Sequence, residues 1–192
     1  MIDYYENLIK FLCKITGISE LPNLIIAKDK KIHYNKKNFD FCYQNVNAKF
    51  YTENNIIYIN LDLHELKIPD DLFSIIHEFR HYYQLHQVLN YPNLISEKKY
   101  IVKKWEKNYD NYINFGKDGY YEQDREIDAN AFTLYIMEFL FDVPCYIDKK
   151  FSSEKISFYN SIYLQKYNYI EMQDILDEMQ FEVYDRFDLS FN

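Results

Sequence analysis

The pattern of apolar positions changes once in the first third of the chain, from helical spacing to short apolar runs. Residues 3–16 repeat apolar side chains at helical spacing, and Gly17 follows as a stop signal. Over residues 24–63 the apolar runs become short, rich in Ile, Tyr, Phe and Val, and are separated by Asn-rich breaks. The strands predicted there are LIIAK (24–28), FDFCYQ (39–44), NAKFYT (47–52) and NIIYINLDL (55–63). Residues 52–55 are the predicted hairpin turn between the last two strands.

The rest of the chain returns to a helical period. A helix is predicted over 70–89, with Asp70 or Asp71 as its N-cap after Pro69. Gly116 and Gly119 interrupt the pattern further on. Additional helices are predicted over 96–113, 122–141 and 169–186.

This order of elements predicts an α+β fold. A small, mostly antiparallel sheet packs against one central helix and further helices. Because no Gly- or Pro-rich linker interrupts the pattern, residues 1–192 are interpreted as a single domain. Residues 90–121 are interpreted as an insertion or lid, and residues 145–192 as C-terminal helices.

Charge and composition exclude several function classes. The net charge of −8 argues against direct binding of nucleic acid, which requires Lys and Arg to neutralise phosphates. The N-terminus lacks the basic and apolar regions of a signal peptide, and no apolar run is long enough to span a membrane. Three cysteines without a CxxC pair indicate neither disulfides nor a thiolate metal site. We therefore expect a cytoplasmic protein without a membrane partner.

The segment SIIHEFRHYY (74–83) carries the candidate chemistry. On a helix, His77 and His81 lie one turn apart on the same face, so both imidazoles can reach one ion. Zinc prefers imidazole and carboxylate ligands, and a catalytic site keeps one position open for water. Glu78 lies beside that position, where it can act as the general base.

Two histidines cannot complete such a site, so a third ligand is required. His86 lies on the opposite face of a continuous helix, and His64 could reach back only through a tight loop. Glu126 is the preferred third ligand, because it lies on the next predicted helix in EIDANAF. Asn130, one turn later, could hydrogen-bond a ligand imidazole as second-shell support.

Some roles remain open. Glu122 and Asp128 are alternative third ligands, with Glu122 on the same helix face as Glu126. A tyrosine hydroxyl could stabilise a developing oxyanion, and the candidates are Tyr82, Tyr83, Tyr120 and Tyr121.

The segments HEFRH and EIDANAF together resemble the ImmA/IrrE group of gluzincin-type zinc metallopeptidases. The matching positions are His77, Glu78, His81, Glu126, Ala129, Asn130 and Phe132. The resemblance implies a zincin-like fold, a Zn²⁺ ion and a cytosolic peptidase that cleaves or inactivates a helix-turn-helix repressor. It also implies that residues 55–63 form the edge strand of the sheet.

The chain departs from the family pattern in a few places. Arg80 stands where family members commonly have a small residue, and Thr133 replaces the small residue after the matching Phe. The separation between His81 and Glu126 is longer than the family's. Without a DNA-binding module, a link to a repressor would require a separate partner protein.

These features predict a zinc-dependent endopeptidase that acts on a protein or peptide substrate. An extended substrate would pair with the edge of residues 55–63, and residues 90–121 would cover it. One alternative is a catalytically silent zinc-containing regulatory protein that binds and sequesters a partner. Another is that the histidines are core residues without a metal, which requires Glu126 to lie far from them.

Overall fold

Helices surround a four-stranded sheet in the computed structural model, which describes residues 2–34, 41–64, 69–93 and 97–181. The helices are α1 (Ile2–Thr16), α2 (Asp70–Asn90), α3 (Lys99–Asp110), α4 (Asp124–Leu134), α5 (Ser153–Lys166) and α6 (Tyr169–Glu178). The strands are β1 (Asn23–Lys28), β2 (Lys31–Tyr34), β3 (Ala48–Tyr51) and β4 (Ile56–Asn60). A π-helical segment, Tyr135–Leu140, extends α4. The α+β class is thereby confirmed.

The strand order is β2-β1-β4-β3, and the sheet is mixed. β1 pairs antiparallel with β2 and parallel with β4, so that Ile26 lies opposite Ile59. β3 and β4 are antiparallel and are joined through Thr52–Asn54 and the left-handed Asn55, which is the hairpin turn predicted at 52–55. β4 is therefore an inner strand with every residue buried. The prediction that residues 55–63 form the sheet edge is wrong; β3 occupies that edge.

The prediction of a strand at FDFCYQ is also wrong for its described part, residues 41–44. Residues 41–44 contain no strand, and residues 39–40 lie outside the described residues. The second strand is instead β2, which follows β1 after a turn at Asp29 and Lys30. Both turn residues have positive φ, and their amides donate to the Asp62 carboxylate at 2.6 and 2.9 Å. A carboxylate that is distant in sequence thus stabilises a turn that the local sequence does not predict.

α2 crosses the molecule between the sheet and the other helices. It packs against β3 and β4 on one side and against α1, α3 and α4 on the others, so most of its residues are buried. The helix begins at Asp70, with Pro69 in the N-cap position and no side-chain cap. The predicted Asp cap is therefore wrong. The Asp71 carboxylate instead accepts a hydrogen bond from the Tyr5 hydroxyl of α1.

Part of the predicted insertion belongs to the core. Within residues 90–121, α3 buries Ile101, Val102 and Trp105 against α2 and α4. Gly116 and Gly119 both have positive φ and lie in the break between helices α3 and α4, as predicted. Of the predicted 169–186 helix, α6 covers the first ten residues, and residues 182–186 lie outside the described part. No helix in the described ranges is long and apolar enough to cross a membrane.

Candidate metal centre

The packing of α2 against α4 brings three predicted ligands together. His77 and His81 lie one turn apart on α2, with their Nε2 atoms 3.1 Å apart. Glu126, in the first turn of α4, points between them: its carboxylate oxygens lie 3.5 Å from His77 Nε2 and 3.4 Å from His81 Nε2. Within the described residues this is the group of His, Cys, Asp and Glu side chains that could hold a metal ion. The alternative that requires a distant Glu126 is contradicted by these distances.

The spacing of the three side chains fits a small tetrahedral ion. Nitrogen and carboxylate ligands lie 2.0–2.2 Å from zinc, so two ligand atoms of a tetrahedron are about 3.3–3.6 Å apart. The observed separations of 3.1, 3.5 and 3.4 Å are close to this range. Glu126 Oε1 is also buried without a hydrogen-bond partner; His81 Nε2 and Arg125 Nε lie 3.4 and 3.6 Å from it, and an ion bound by the triad would satisfy it more closely. The donor set and its geometry therefore fit a metal ion.

Electrostatics keep the third ligand charged. Burial alone would favour the neutral acid, but the neighbouring His81 and His77 hold the pKa of Glu126 well below its usual range. Burial likewise favours a neutral His77, yet its hydrogen bond to Glu126 and the nearby Glu78 carboxylate raise its pKa. Glu126 is therefore held as the carboxylate, which is the form that can bind a cation beside the two imidazoles.

Glu78 lies at the cleft that opens in front of the triad. This cleft has a volume of about 360 Å³ and contains His77 and Glu78 in its wall. Glu78 Oε2 accepts a hydrogen bond from the amide of Phe50 in β3, at 2.7 Å. The helix that carries the two histidines is thus linked to the edge strand through the candidate general base.

Aromatic side chains form much of the remaining cleft wall. Its aromatic members are Phe73, Phe115, Tyr120, Tyr121, Tyr146 and Phe151. Phe115 and Tyr146 are largely exposed at its mouth, while Tyr121 packs edge-to-face on Phe151. These residues surround the polar triad with apolar surface, as is usual for a ligand pocket.

Of the four candidate tyrosines, two line the cleft. Tyr120 donates to Glu126 Oε2 at 2.8 Å, and the left-handed Gly119 directly before it allows the sharp turn into this position. Tyr82 donates instead to the carbonyl of Glu20, and Tyr83 to Glu97. Tyr120 therefore supports the third ligand, a role that the sequence analysis did not assign to it.

Asn130 lies in the cleft wall, but it does not support an imidazole. Its side-chain amide donates to the backbone carbonyl of Glu126 at 2.8 Å, and His77 Nδ1 has no hydrogen-bond partner. The imidazole that is supported is His81, whose Nδ1 lies 2.9 Å from Gln84 Oε1. Sequence analysis missed Gln84, although a polar residue three positions after His81, directly behind the aromatic pair Tyr82 and Tyr83, is a signal that could have identified it.

The other candidate ligands have different partners. His64 Nδ1 lies 2.7 Å from the Asn60 carbonyl oxygen, and His64 Nε2 lies 3.0 Å from Ser74 Oγ. His86 lies at a separate cleft, and Glu122 is exposed. Asp128 binds Arg80 across the helix interface, with Nε and Oδ2 2.8 Å apart.

Arg80, the departure from the family pattern, is a buried cation behind the triad. Only 1% of its surface is exposed, and its guanidinium lies over the rings of Tyr83, Trp105, Phe132 and Tyr163. Burial opposes its charge, but Asp128 and further acidic groups keep the pKa of Arg80 well above its usual value. The local packing therefore accommodates the large side chain completely.

A scan against protein-family models and searches of curated proteins and of solved structures give no match for this chain.

Proposed function

We propose that the protein is a zinc-dependent endopeptidase with a zincin-like active site. The observation that carries the proposal is the convergence of His77, His81 and Glu126 at ligand spacing, with Glu78 in the wall of the same cleft. Two imidazoles and one carboxylate are a ligand set of catalytic zinc sites. The resemblance of HEFRH and EIDANAF to the ImmA/IrrE metallopeptidases supports the same interpretation.

The proposed reaction is hydrolysis of a peptide bond. His77, His81 and Glu126 would hold the zinc, which would supply a Lewis acid able to polarise a carbonyl and to lower the pKa of a water molecule. The amide of Phe50 holds Oε2 of Glu78, which leaves Oε1 to take a proton from the attacking water. Glu78 then delivers that proton to the amide nitrogen of the leaving peptide.

The edge strand β3 supports a peptide substrate. The Asn47 carbonyl accepts from Asn60 beside β4, whereas the Phe50 amide points away from β4 toward Glu78. Because peptide groups alternate along an antiparallel strand, the amide and carbonyl of Ala48 also point outward, and Ala48 lines the cleft. An extended peptide can add to this edge. In the proposed binding mode, β3 therefore takes the place that the sequence analysis gave to residues 55–63.

The cleft wall favours a substrate with a large apolar side chain. Tyr121, Phe151 and Phe115 offer aromatic rings beside the peptide-binding edge, and Glu78 and Asp148 are the acidic residues of the same wall. The resemblance suggests a helix-turn-helix repressor as the protein substrate and the cytosol as the place of reaction. The acidic net charge of −8 supports contact with the protein partner alone, without direct contact to DNA.

A catalytically silent zinc protein that sequesters its partner is the second candidate. The observation in its favour is the 2.7 Å hydrogen bond from the Phe50 amide to Glu78, since this bond occupies one oxygen of the candidate base and ties it to the edge strand. In this case peptides would bind along β3 without being cut.

Metal content of the purified protein is the first test. Inductively coupled plasma mass spectrometry should find about one zinc per wild-type chain and much less in Glu126→Ala. Glu122→Ala is the matched control, because this exposed carboxylate lies one turn before Glu126 and should not affect zinc. A well-folded wild type that takes up no supplied zinc would overturn the proposal.

Cleavage then separates the two candidates. A library of unstructured peptides is incubated with zinc-loaded protein, and the products are identified by mass spectrometry. We expect Glu78→Gln to keep zinc and to cleave about 100- to 10,000-fold more slowly than wild type. Cleavage by Glu78→Gln at the wild-type rate would exclude the proposed base. Zinc-loaded wild type that binds peptides but cleaves none would favour the silent protein.

A further inference from the structure

A chain of buried hydrogen bonds runs from His81 to Arg80 behind the triad. His81 Nδ1 lies 2.9 Å from Gln84 Oε1, and Gln84 Nε2 lies 2.6 Å from Asp128 Oδ2. Arg80 reaches the same carboxylate with Nε, 2.8 Å from Oδ2, and with Nη2, 3.2 Å from Oδ1. All four side chains are buried.

We propose that Gln84, Asp128 and Arg80 are positioning residues that hold His81 as the tautomer able to bind a metal through Nε2. The inference rests on the proposed metal centre, which it deepens by explaining how one ligand is prepared before the ion arrives. It also gives Arg80, which departs from the family pattern, a role in the site.

The orientation of the Gln84 amide follows from its partners. Gln84 Nε2 contacts the Asp128 carboxylate and, at 2.8 Å, the backbone carbonyl of Arg125. Both partners are acceptors, so this end of the amide must be the NH₂ group, which has two hydrogens to donate. The opposite end, which faces His81, is therefore the carbonyl oxygen.

The orientation of the amide determines the tautomer of His81. A carbonyl oxygen can only accept, so His81 Nδ1 must carry the hydrogen that bridges the 2.9 Å gap. In the neutral ring, Nε2 then has a free lone pair, and Nε2 is the atom that faces His77 and Glu126. A donor at Nδ1 also makes the imidazole a stronger metal ligand.

Arg80 fixes the far end of the chain. Its guanidinium presents a planar fork to Asp128, and the Tyr163 hydroxyl donates to the same carboxylate, so Asp128 remains an acceptor in one orientation. Aromatic rings around Arg80 exclude water from this pair. A lysine or a small residue at position 80 could not make both contacts.

His77 provides the internal contrast. Its Nδ1 is buried without a hydrogen-bond partner, so no side chain holds the ring from behind, and its polar contacts are made at Nε2 with Glu126 and His81. One ligand of the pair is therefore held from behind and the other is positioned mainly by the helix and by contacts at Nε2.

The test combines zinc affinity with a direct readout of the tautomer. Gln84→Met keeps the side-chain volume and removes the amide; Gln87→Met is the matched control, since Gln87 is a buried glutamine of α2 that accepts from the Glu97 amide. By competition with a chromophoric chelator, we expect zinc to bind Gln84→Met about 10- to 100-fold more weakly than wild type. The control should stay within about threefold. A folded Gln84→Met with wild-type affinity would overturn the inference.

The tautomer is measured in the metal-free full chain by long-range ¹H–¹⁵N correlation at about pH 8, above the ordinary pKa of histidine. We expect the hydrogen of wild-type His81 on Nδ1, and a shift toward Nε2–H in Gln84→Met. Nε2–H as the main form in wild type would overturn the inference even if the variant does not fold. Because this readout needs no metal, its failure is distinguishable from failure of the proposed function, which the zinc-content and cleavage measurements test separately.

Discussion

The rear and the front of the triad differ in how their polar groups are satisfied. At the rear, Arg80, Gln84 and Asp128 form a buried network of donors and acceptors, in which Nη1 of Arg80 is the one side-chain group without a hydrogen-bond partner. At the front, the His77 side chain is 13% exposed and lines a cleft together with Glu78. Both surroundings are built on the same helix, because residues three or four positions apart share a face and neighbouring residues do not.

The difference shows how a buried helix can carry a reactive group. A buried polar network holds side chains in one orientation, whereas unsatisfied groups remain available to a ligand. Glu126 joins the two regions, since Tyr120 donates to its Oε2, whereas its Oε1 lies 3.4 Å from His81 Nε2 and has no hydrogen-bond partner. We therefore expect changes at the rear to act mainly on stability and changes at the front to act mainly on binding.

The largest stability effect is expected at Arg80. Arg80→Met leaves the Asp128 carboxylate buried without its cation, which should lower the free energy of unfolding by about 3–5 kcal/mol. Urea unfolding followed by circular dichroism measures this loss. The double variant Arg80→Met, Asp128→Leu should recover part of it, because no unpaired charge remains buried. Strictly additive losses would show that the pair is not coupled.

A smaller, pH-dependent effect is expected at Glu97. Burial would raise its pKa, but Arg80 and Lys166, at 3.5 and 2.5 Å, hold the pKa below the ordinary value of 4.5. The folded carboxylate thus contributes stability that is fully present above pH 4.5 and is lost as the pH falls through its folded pKa.

Comparison with Glu97→Gln isolates this contribution. Wild type should exceed the variant in unfolding free energy by about 1–3 kcal/mol near neutral pH, and the difference should shrink below pH 4.5. Urea titrations between about pH 3 and pH 7 span the unfolded pKa of a glutamate. A difference that stays constant over this range would contradict the assigned pKa shift.

Local periodicity accounts for what could be predicted from sequence. The spacing of His77 and His81 and the placement of Glu126 on the next helix depend on single helices, and the structure places these residues together. The edge position of β3 and the turn before β2 depend on strand order and on Asp62, which is more than thirty residues away from that turn. Contacts of this kind leave no periodic signal along the chain.

The contacts of the side-chain amides near the ligands also depend on packing more than on spacing. Asn130 lies one turn from Glu126, which suggested support for an imidazole, but its short amide finds the nearer carbonyl of its own helix. Gln84 reaches both its imidazole and a carboxylate that lies 44 positions further along the chain. The partner of an amide therefore depends on what packs against it, which spacing alone does not determine.

The smallest expected effect is on zinc affinity, and it is tested by comparing two neighbours of Glu126, Tyr120 and Asn130. Tyr120→Phe removes the donor to its carboxylate and should weaken zinc binding about tenfold. Asn130→Ala removes only a donor to its backbone carbonyl and should stay within about threefold of wild type, by the same chelator competition. If Asn130→Ala lost more affinity than Tyr120→Phe, Asn130 would support a ligand once metal is bound, and the front would then resemble the rear.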